Sequence, residues 1–245
     1  MTPRITLALA RRVLAQMRRD HRSMVMLLAL PTVLMAVLWW VFSDVPGSGF
    51  DRVAPALLAM FPFFVMFLVT SVTTLRERSG GTLERLLAMP MGRGDFLLGY
   101  ALAFGLLAAL QAALAVGVSV GLLGMEVNGS VWLLGLVAVS DGVLGTALGL
   151  WVSAFARTEF QAVQFMPAVV VPQMLLCGAL VAREDMPRAL EVIGDVLPLS
   201  FAVDATQGLV AGAAGAEVWL DLAVVLGFVV LGLVLGGATL QRRTP

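Results

Sequence analysis

The chain has 245 residues, of which 60% are hydrophobic, with a mean hydropathy of +0.95 and no net charge at neutral pH. This composition excludes an ordinary soluble domain, and its apolar runs have the length of about 20 residues that crosses a bilayer core. The chain is therefore an integral membrane protein. Its 16 strongly basic residues are all arginine, which excludes a Walker A loop because that loop needs a lysine at the phosphates. One cysteine and one histidine exclude an internal disulfide and the usual zinc sites.

Residues 4–22 have the pattern of a basic amphipathic helix. Ile5, Leu9, Val13 and Met17 recur every four residues, and six arginines supply the polar side. Such a helix lies in the membrane interface in contact with lipid. No nucleic-acid partner is expected for these arginines, because the next residues enter the membrane as a first span over 24–42.

Five further apolar runs predict spans over 53–75, 96–123, 131–155, 162–181 and 219–240, and Pro167 and Pro172 are expected to bend the fifth span. Residues 182–216 carry too many charges to face lipid, and their apolar patches, 189–197 and 201–210, are too short to cross. We interpret these patches as two re-entrant helices separated at Pro198. The predicted fold is a single all-α transmembrane domain over residues 1–245 with six spans.

The distribution of arginines predicts the orientation of the chain. Placing both termini in the cytoplasm puts six arginines of the N-terminal helix, four of the 76–95 loop, one of the 156–161 turn and two of the tail inside. Only Arg52, Arg183 and Arg188 are then outside. A seventh span in 182–216 would move Arg242 and Arg243 outside, so six spans agree better with the charges.

The loop over residues 76–95 is the only long charged interruption in the N-terminal half. Gly80 and Gly81 break the preceding span, Thr82 is suited to cap a short helix, Pro90 ends that helix and Asp95 can cap the next one. In this short helix three leucines share one face, whereas Glu84 and Arg85 point away; the leucines are Leu83, Leu86 and Leu87. The pattern fits docking into a partner's groove and fits equally a helix that rests on lipid headgroups.

The loop also resembles the cytoplasmic loop of type-2 ABC exporter permeases, a class that includes drug exporters and exporters of polysaccharide and lipid. The resemblance rests on Glu77, the run 81–84, Leu86, Leu87 and Pro90, together with the apolar run from Phe96. The 178–204 region resembles the re-entrant helices that these permeases carry before their last span. Family members commonly have an arginine where this chain has Gln207, so no role is carried over to that position.

The resemblance implies a coupling helix that contacts a separate ATPase, which would bind the ATP and Mg²⁺. The residues assigned to that contact are Glu77, Gly81, Thr82, Leu83, Glu84, Arg85, Leu86 and Leu87. It also implies two permease subunits, identical or homologous, over two ATPase subunits in a bacterial plasma membrane. The second and fifth spans would line the pathway, with Phe63, Phe64, Phe67, Met166, Gln173 and Leu176 as candidates. The chain itself would be no enzyme. The resemblance says nothing about the cargo. The all-arginine, alanine- and glycine-rich composition is typical of a high-GC bacterial source, which agrees with an amphipathic drug-like or lipid-like cargo and with drug efflux, antibiotic resistance or lipid export as the outcome.

Asp141 is the one ionisable residue deep within a predicted span. Its burial costs about 2.5–3.5 kcal/mol on insertion scales, so it needs a partner or water. One hypothesis is an ion-coupled secondary transporter that uses this acid. The other is a protonated or hydrogen-bonded carboxyl group that packs against Ser140, Thr146 or another span. An ATP-driven permease needs no ion coupling, which favours the second hypothesis. Small-xxx-small pairs such as Gly145 and Gly149 predict closely packed helices.

Overall fold

The computed structural model describes residues 3–44, 49–81, 92–213 and 215–239. Over these ranges the chain forms nine α-helices and one 3-10 turn, Arg183–Asp185, without any strand. The helices are α1 Pro3–Arg19, α2 His21–Val41, α3 Gly49–Ser79, α4 Arg93–Gly121, α5 Val131–Val152, α6 Glu159–Leu176, α7 Arg188–Asp195, α8 Pro198–Ala211 and α9 Ala216–Thr239. The all-α prediction is confirmed. We call the end of the bundle at the 76–95 loop the loop side, and the other end the far side.

Five helices are long and apolar enough to cross a membrane, namely α2, α3, α4, α5 and α9. The structure extends α3 beyond the predicted 53–75 at both ends. The predicted fifth span corresponds to α6, which is not among the five. Three glutamines and two prolines lower its hydropathy; they are Gln161, Gln164, Gln173, Pro167 and Pro172. Of the six predicted spans, five are therefore confirmed by length and composition.

Helix α5 lies at the centre of the bundle and packs most extensively on α3, α9 and α4. The contact with α3 depends on glycine. A Cβ atom added at Gly145 would lie 2.3 Å from the carbonyl oxygen of Phe63, and one at Gly149 would lie 2.6 Å from that of Phe67. The two backbones can approach this closely because these positions have no side chain, as the small-xxx-small pattern predicts.

The ends of the helices follow their sequence signals. Asp20 separates α1 from α2 and caps α2, because its carboxylate accepts hydrogen bonds from the Ser23 N–H at 3.2 Å and the Ser23 hydroxyl at 2.6 Å. These bonds lower the pKa of Asp20 below its usual value. Beyond the last residue of α3, Gly81 has φ +68°, a conformation that favours glycine. The predicted break at this point is confirmed.

On the far side, the charged region forms two short helices. Their observed bounds, 188–195 and 198–211, are close to the predicted patches, and Pro198 occupies the first turn of α8. The 122–130 turn joins α4 to α5 and closes over the end of α8, since the Gly129 N–H donates to the Leu209 carbonyl at 2.9 Å. Helix α8 packs against α9, α3 and α5, whereas α7 contacts mainly α6 and its neighbours in the chain.

The outside of the bundle is not uniform. Helix α4 exposes an unbroken stripe of leucines at a spacing of four, namely Leu98, Leu102, Leu106, Leu110 and Leu114. Helix α6 exposes Val163, Val171 and Leu175 on a face that also carries the exposed Gln164. Polar side chains are costly against hydrocarbon, so the leucine stripe suits lipid better than the α6 face does.

Candidate functional site at the ends of the 76–95 loop

Helix α1 is fastened to the loop-side end of α3 by an ion pair. Arg12 Nη2 donates to both carboxylate oxygens of Glu77, at 3.0 and 3.2 Å, and Gln16 Nε2 lies 3.4 Å from one of them. Glu77 is only 7% exposed. A charge this well buried needs a partner, and a hydrogen bond between two ionised groups is stronger than a neutral one. Glu77 therefore anchors the last turn of α3 to α1.

The same helix holds the start of α4. The Thr6 hydroxyl donates to Asp95 Oδ1 at 3.1 Å, while Asp95 Oδ2 accepts a hydrogen bond from the Gly92 N–H at 3.0 Å. Asp95 thus caps α4, as predicted, and also binds α1. Next to it, a Cβ added at Gly99 would lie 3.0 Å from the Leu9 side chain, so α1 and α4 are in close contact. Both ends of the 76–95 loop are consequently attached to one helix.

This arrangement corrects the expectation for α1. Its apolar face was predicted to rest on lipid, but Leu9, Val13 and Met17 are buried against the protein. They pack with buried residues of α4, including Tyr100 and Phe104. A sequence pattern shows that a helix has an apolar face but not whether lipid or another helix covers it.

The predicted ATPase-contact residues fall into two groups. Glu77 lies in the last turn of α3, and Gly81 lies two residues after its end. The other six lie outside the described residues; they are Thr82, Leu83, Glu84, Arg85, Leu86 and Leu87. Their docking face remains a prediction. Sequence reasoning missed Thr6 and Arg12 as partners of the loop, although Glu77 itself, an acid at the end of an apolar run, signalled the need for a cation.

A groove of about 460 Å³ lies beside this site, between α1, α2, α3 and α6. Its lining combines apolar side chains with charged and polar ones; the lining residues are Val13, Gln16, Met17, Asp20, Ser23, Leu68, Val69, Val72, Thr73, Arg76, Glu77 and Val163. Of these residues, Arg76 forms a two-bond ion pair with Glu159 at 2.8 and 2.9 Å. The volume is in the range of small-molecule pockets, and the lining suits an amphipathic molecule.

The candidate pathway residues are divided between surface and interior. Phe63 and Phe67 are fully buried, because the glycines of α5 draw that face of α3 inward. Phe64, Met166 and Leu176 are partly exposed. Gln173 is buried, and its Nε2 donates to the Val169 carbonyl at 3.2 Å. In this arrangement Phe63 and Phe67 support the α3–α5 contact. Phe64 of α3 and both Met166 and Leu176 of α6 keep part of their side chains exposed.

Asp141 is fully buried in α5, and neither carboxylate oxygen has a hydrogen-bond partner within the described residues. Because Asn has the shape of Asp and brings no charge into the interior, we expect Asp141→Asn to insert and assemble normally. If the chain is the ATP-driven permease that the resemblance implies, nucleotide-driven transport by this variant should stay within a few-fold of the unchanged protein in a vesicle uptake assay. Complete loss of transport, with the assembly intact, would favour an ion-coupled mechanism. Over the described ranges, no cluster of three metal-ligating side chains occurs.

Comparison with known protein families identifies the family of this helical membrane domain. The chain matches the ABC-2 type transporter family over residues 5–210. It belongs to that family, and is therefore a membrane component of an ABC transport system.

Individual relatives agree with this assignment. The chain is 26% identical to ABC transporter G family member 20 of Dictyostelium discoideum over 81% of its length and 28% of the relative's. It is 28% identical to the probable multidrug ABC transporter permease YbhR of Escherichia coli K12, over 63% of this chain and 42% of YbhR. Nodulation protein J of Rhizobium leguminosarum bv. viciae is 28% identical over 69% of this chain and 64% of its own length. The chain thus matches less than two thirds of each relative.

Proposed function

We propose that this chain is the permease subunit of an ATP-driven exporter in a bacterial plasma membrane. The observation that carries the proposal is the attachment of both ends of the 76–95 loop to α1, through Arg12–Glu77 and Thr6–Asp95, in a member of the ABC-2 family. A loop held in this way can transmit a displacement to three helices at once. The chain performs no covalent chemistry; ATP and Mg²⁺ bind to a separate ATPase subunit.

In the proposed assembly two permeases, identical or homologous, pair side by side over two ATPase subunits. Closure of the ATPases on ATP moves the predicted coupling helix in the 76–95 loop of each permease. We call the bonds Arg12–Glu77 and Thr6–Asp95 the loop anchors. They pass this movement to α1, α3 and α4. The permease then changes from an inward-facing to an outward-facing state. Such a two-state change needs only that the partner binds one state more tightly than the other.

The proposed topology has six spans, with both termini and the loop side in the cytoplasm and the far side outside. Helix α6 completes this set as the fifth span along the chain. Its exposed Gln164 disfavours contact with lipid and supports a location against the second permease or a water-filled pathway. Together with the partly exposed Phe64 of α3, this face supports a pathway between the two permeases. Helices α7 and α8 enter the outer half of the membrane.

We propose an amphipathic drug-like or lipid-like cargo. The groove, whose lining has both apolar and charged side chains, supports this class, because it offers contacts to both the apolar and the polar part of such a molecule. The name of the relative YbhR, a probable multidrug permease, agrees with the drug-like alternative. The cargo would enter at the loop side and leave at the far side.

Leu86→Glu tests the proposed function. If Leu86 docks into an apolar groove of the ATPase, a buried charge without a partner should cost several kcal/mol and weaken assembly by a factor of hundreds or more. We expect the variant to insert and to pair with its permease partner, but not to retain the ATPase on co-purification or stimulate its activity.

Leu122→Glu is the matched control, because Leu122 is 79% exposed on the far side. This variant should retain the ATPase in normal amount. Normal ATP-driven export by Leu86→Glu would show that the loop does not couple the two subunits.

A further inference from the structure

Helix α6 is the least enclosed of the long helices that follow α3. It packs on α3, has smaller contacts with α7 and α8, and leaves much of its length exposed. Pro167 and Pro172 each remove a backbone hydrogen bond from its middle, which weakens the helix against bending. A helix with so few lateral contacts depends on what holds its ends.

An ion pair holds each end of α6. On the loop side, Glu159 binds Arg76 of α3 through two hydrogen bonds. On the far side, Arg183 follows α6 by seven residues and donates through Nη1 and Nη2 to both oxygens of Asp204 in α8, with 3.0 Å for the Nη1 bond. Since α8 packs firmly on α3, α5 and α9, Asp204 connects the end of α6 to the bundle.

The far-side ion pair has further support. Arg183 Nε donates to Asp195 Oδ1 at 3.0 Å, and its Nη1 lies 3.4 Å from the carbonyl oxygen of Cys177, at the end of α6. A Cβ added at Gly194 would lie 2.6 Å from the Leu176 carbonyl, so α7 also closes tightly on this end. Donation to Asp204 raises the pKa of Arg183 above its ordinary value, and the guanidinium stays charged.

The two ion pairs differ in exposure. The side chains of Arg76 and Glu159 are 60% and 52% exposed, whereas those of Arg183 and Asp204 are 22% and 36% exposed. Solvent screens an exposed ion pair, so that pair adds little to the stability of the contact. A less exposed guanidinium with several hydrogen-bond partners is held more strongly. The loop-side end of α6 is thus the easier one to release.

We propose that Arg76–Glu159 and Arg183–Asp204 are two latches on α6, and that the far-side latch must open for release of cargo outside. This inference rests on the proposed function. In the structure both latches are closed, and because Arg76 and Val163 line the groove, opening the loop-side latch widens the groove. Opening the far-side latch removes the ionic link between the end of α6 and α8 and frees the Cys177 carbonyl from Arg183. The Cys177 thiol, which donates to the Met174 carbonyl and lies in the apolar core, becomes accessible when that end of α6 then moves away from the bundle.

Cys177 can report on the far-side latch, because it is the only cysteine of the chain, is fully buried, and accepts a hydrogen bond from Arg183 at its backbone carbonyl. The experiment measures the rate at which a bulky hydrophilic maleimide labels purified full-length permease in detergent. Arg183→Gln and Asp204→Asn should each raise the rate tenfold or more. Asp195→Asn removes only one of the bonds of Arg183, and its increase should be smaller.

Two matched controls separate the latch from general loosening. Arg188 pairs with Glu191 within one turn of α7 on the same surface, at 2.9 Å, and Arg188→Gln should stay within twofold of the unchanged protein. Arg76→Gln opens the other latch and should also leave Cys177 labelling within twofold. The exchanged pair Arg183→Asp with Asp204→Arg should bring the rate back down.

The proposal is overturned if Arg183→Gln labels no faster than Arg188→Gln, or if the exchanged pair labels as fast as the single variants while its thermal unfolding midpoint is normal. A separate arm adds ATP and vanadate to the permease purified with its ATPase, where trapped nucleotide should accelerate labelling of unchanged Cys177. Faster labelling of the latch variants without any nucleotide effect would support the latch and contradict the ATP-driven function. If trapped nucleotide accelerates labelling of unchanged Cys177 but the latch variants label no faster than Arg188→Gln, the latch alone is contradicted.

Discussion

Gly145→Ala should lower the stability of the permease by about 3 kcal/mol, the upper end of the usual cost of overpacking. The added methyl group would lie 2.3 Å from the Phe63 carbonyl oxygen and 3.0 Å from its Cα, so α3 and α5 must separate. These atoms belong to a helix backbone and cannot move aside as a flexible side chain can. For a chain of this size, the thermal unfolding midpoint in detergent should fall by roughly 6–12 °C.

Gly135→Ala is the matched control within the same helix, because no atom lies within 4 Å of a Cβ built at Gly135. It should leave the unfolding midpoint unchanged or raise it slightly, since alanine favours helix more than glycine does. If both variants unfold at the same temperature, the close approach of α3 and α5 is not what holds the centre of the bundle.

Under the proposed function, Glu77→Arg should abolish nucleotide-driven export and reduce stimulation of the ATPase by the permease. The change places two guanidinium groups at a site where one buried carboxylate now accepts both bonds from Arg12. Breaking this pair should cost an amount between the about 3–5 kcal/mol of a fully buried pair and the about 0–1 kcal/mol of an exposed one. Transport in vesicles, with ATPase activity measured in parallel, checks this expectation.

The exchanged pair Arg12→Glu with Glu77→Arg should restore a large part of the export, because it returns one ion pair between α1 and α3. Arg11→Glu serves as the control, since Arg11 lies one residue away on the exposed side of α1. Its export should be close to normal. Equal loss in Arg11→Glu and Glu77→Arg would mean that the charge of α1 matters but its bond to the loop does not.

Local chemistry made several elements predictable from the sequence. Apolar runs indicated the five long helices that the structure confirms, because a bilayer core sets their length. Gly81, Asp95 and Pro198 indicated where helices end or begin, since each acts on backbone atoms within a few residues. The family resemblance, which rested on the 76–95 and 178–204 regions, is confirmed by the match over residues 5–210.

The assignment of helix faces could not be predicted. Phe63 and Phe64 are adjacent in an apolar run, yet the first is fully buried against α5 and the second reaches the surface. Within a membrane both the lipid and the protein interior are apolar, so a hydrophobic pattern does not tell one side of a span from the other. The same reason explains why the apolar face of α1 was expected on lipid and lies on α4.

The sequence by itself determined that this chain is an all-helical membrane protein, where most of its helices begin and end, and which loop resembles a coupling loop. The tertiary structure alone decided which charged and polar side chains meet. Arg12 and Glu77 are 65 positions apart, Thr6 and Asp95 are 89 apart, and Arg76 and Glu159 are 83 apart. Hydropathy and capping act over a few residues, whereas such pairs form only when packed helices bring distant segments together. The loop anchors and the latches of α6 are therefore properties of the packed bundle.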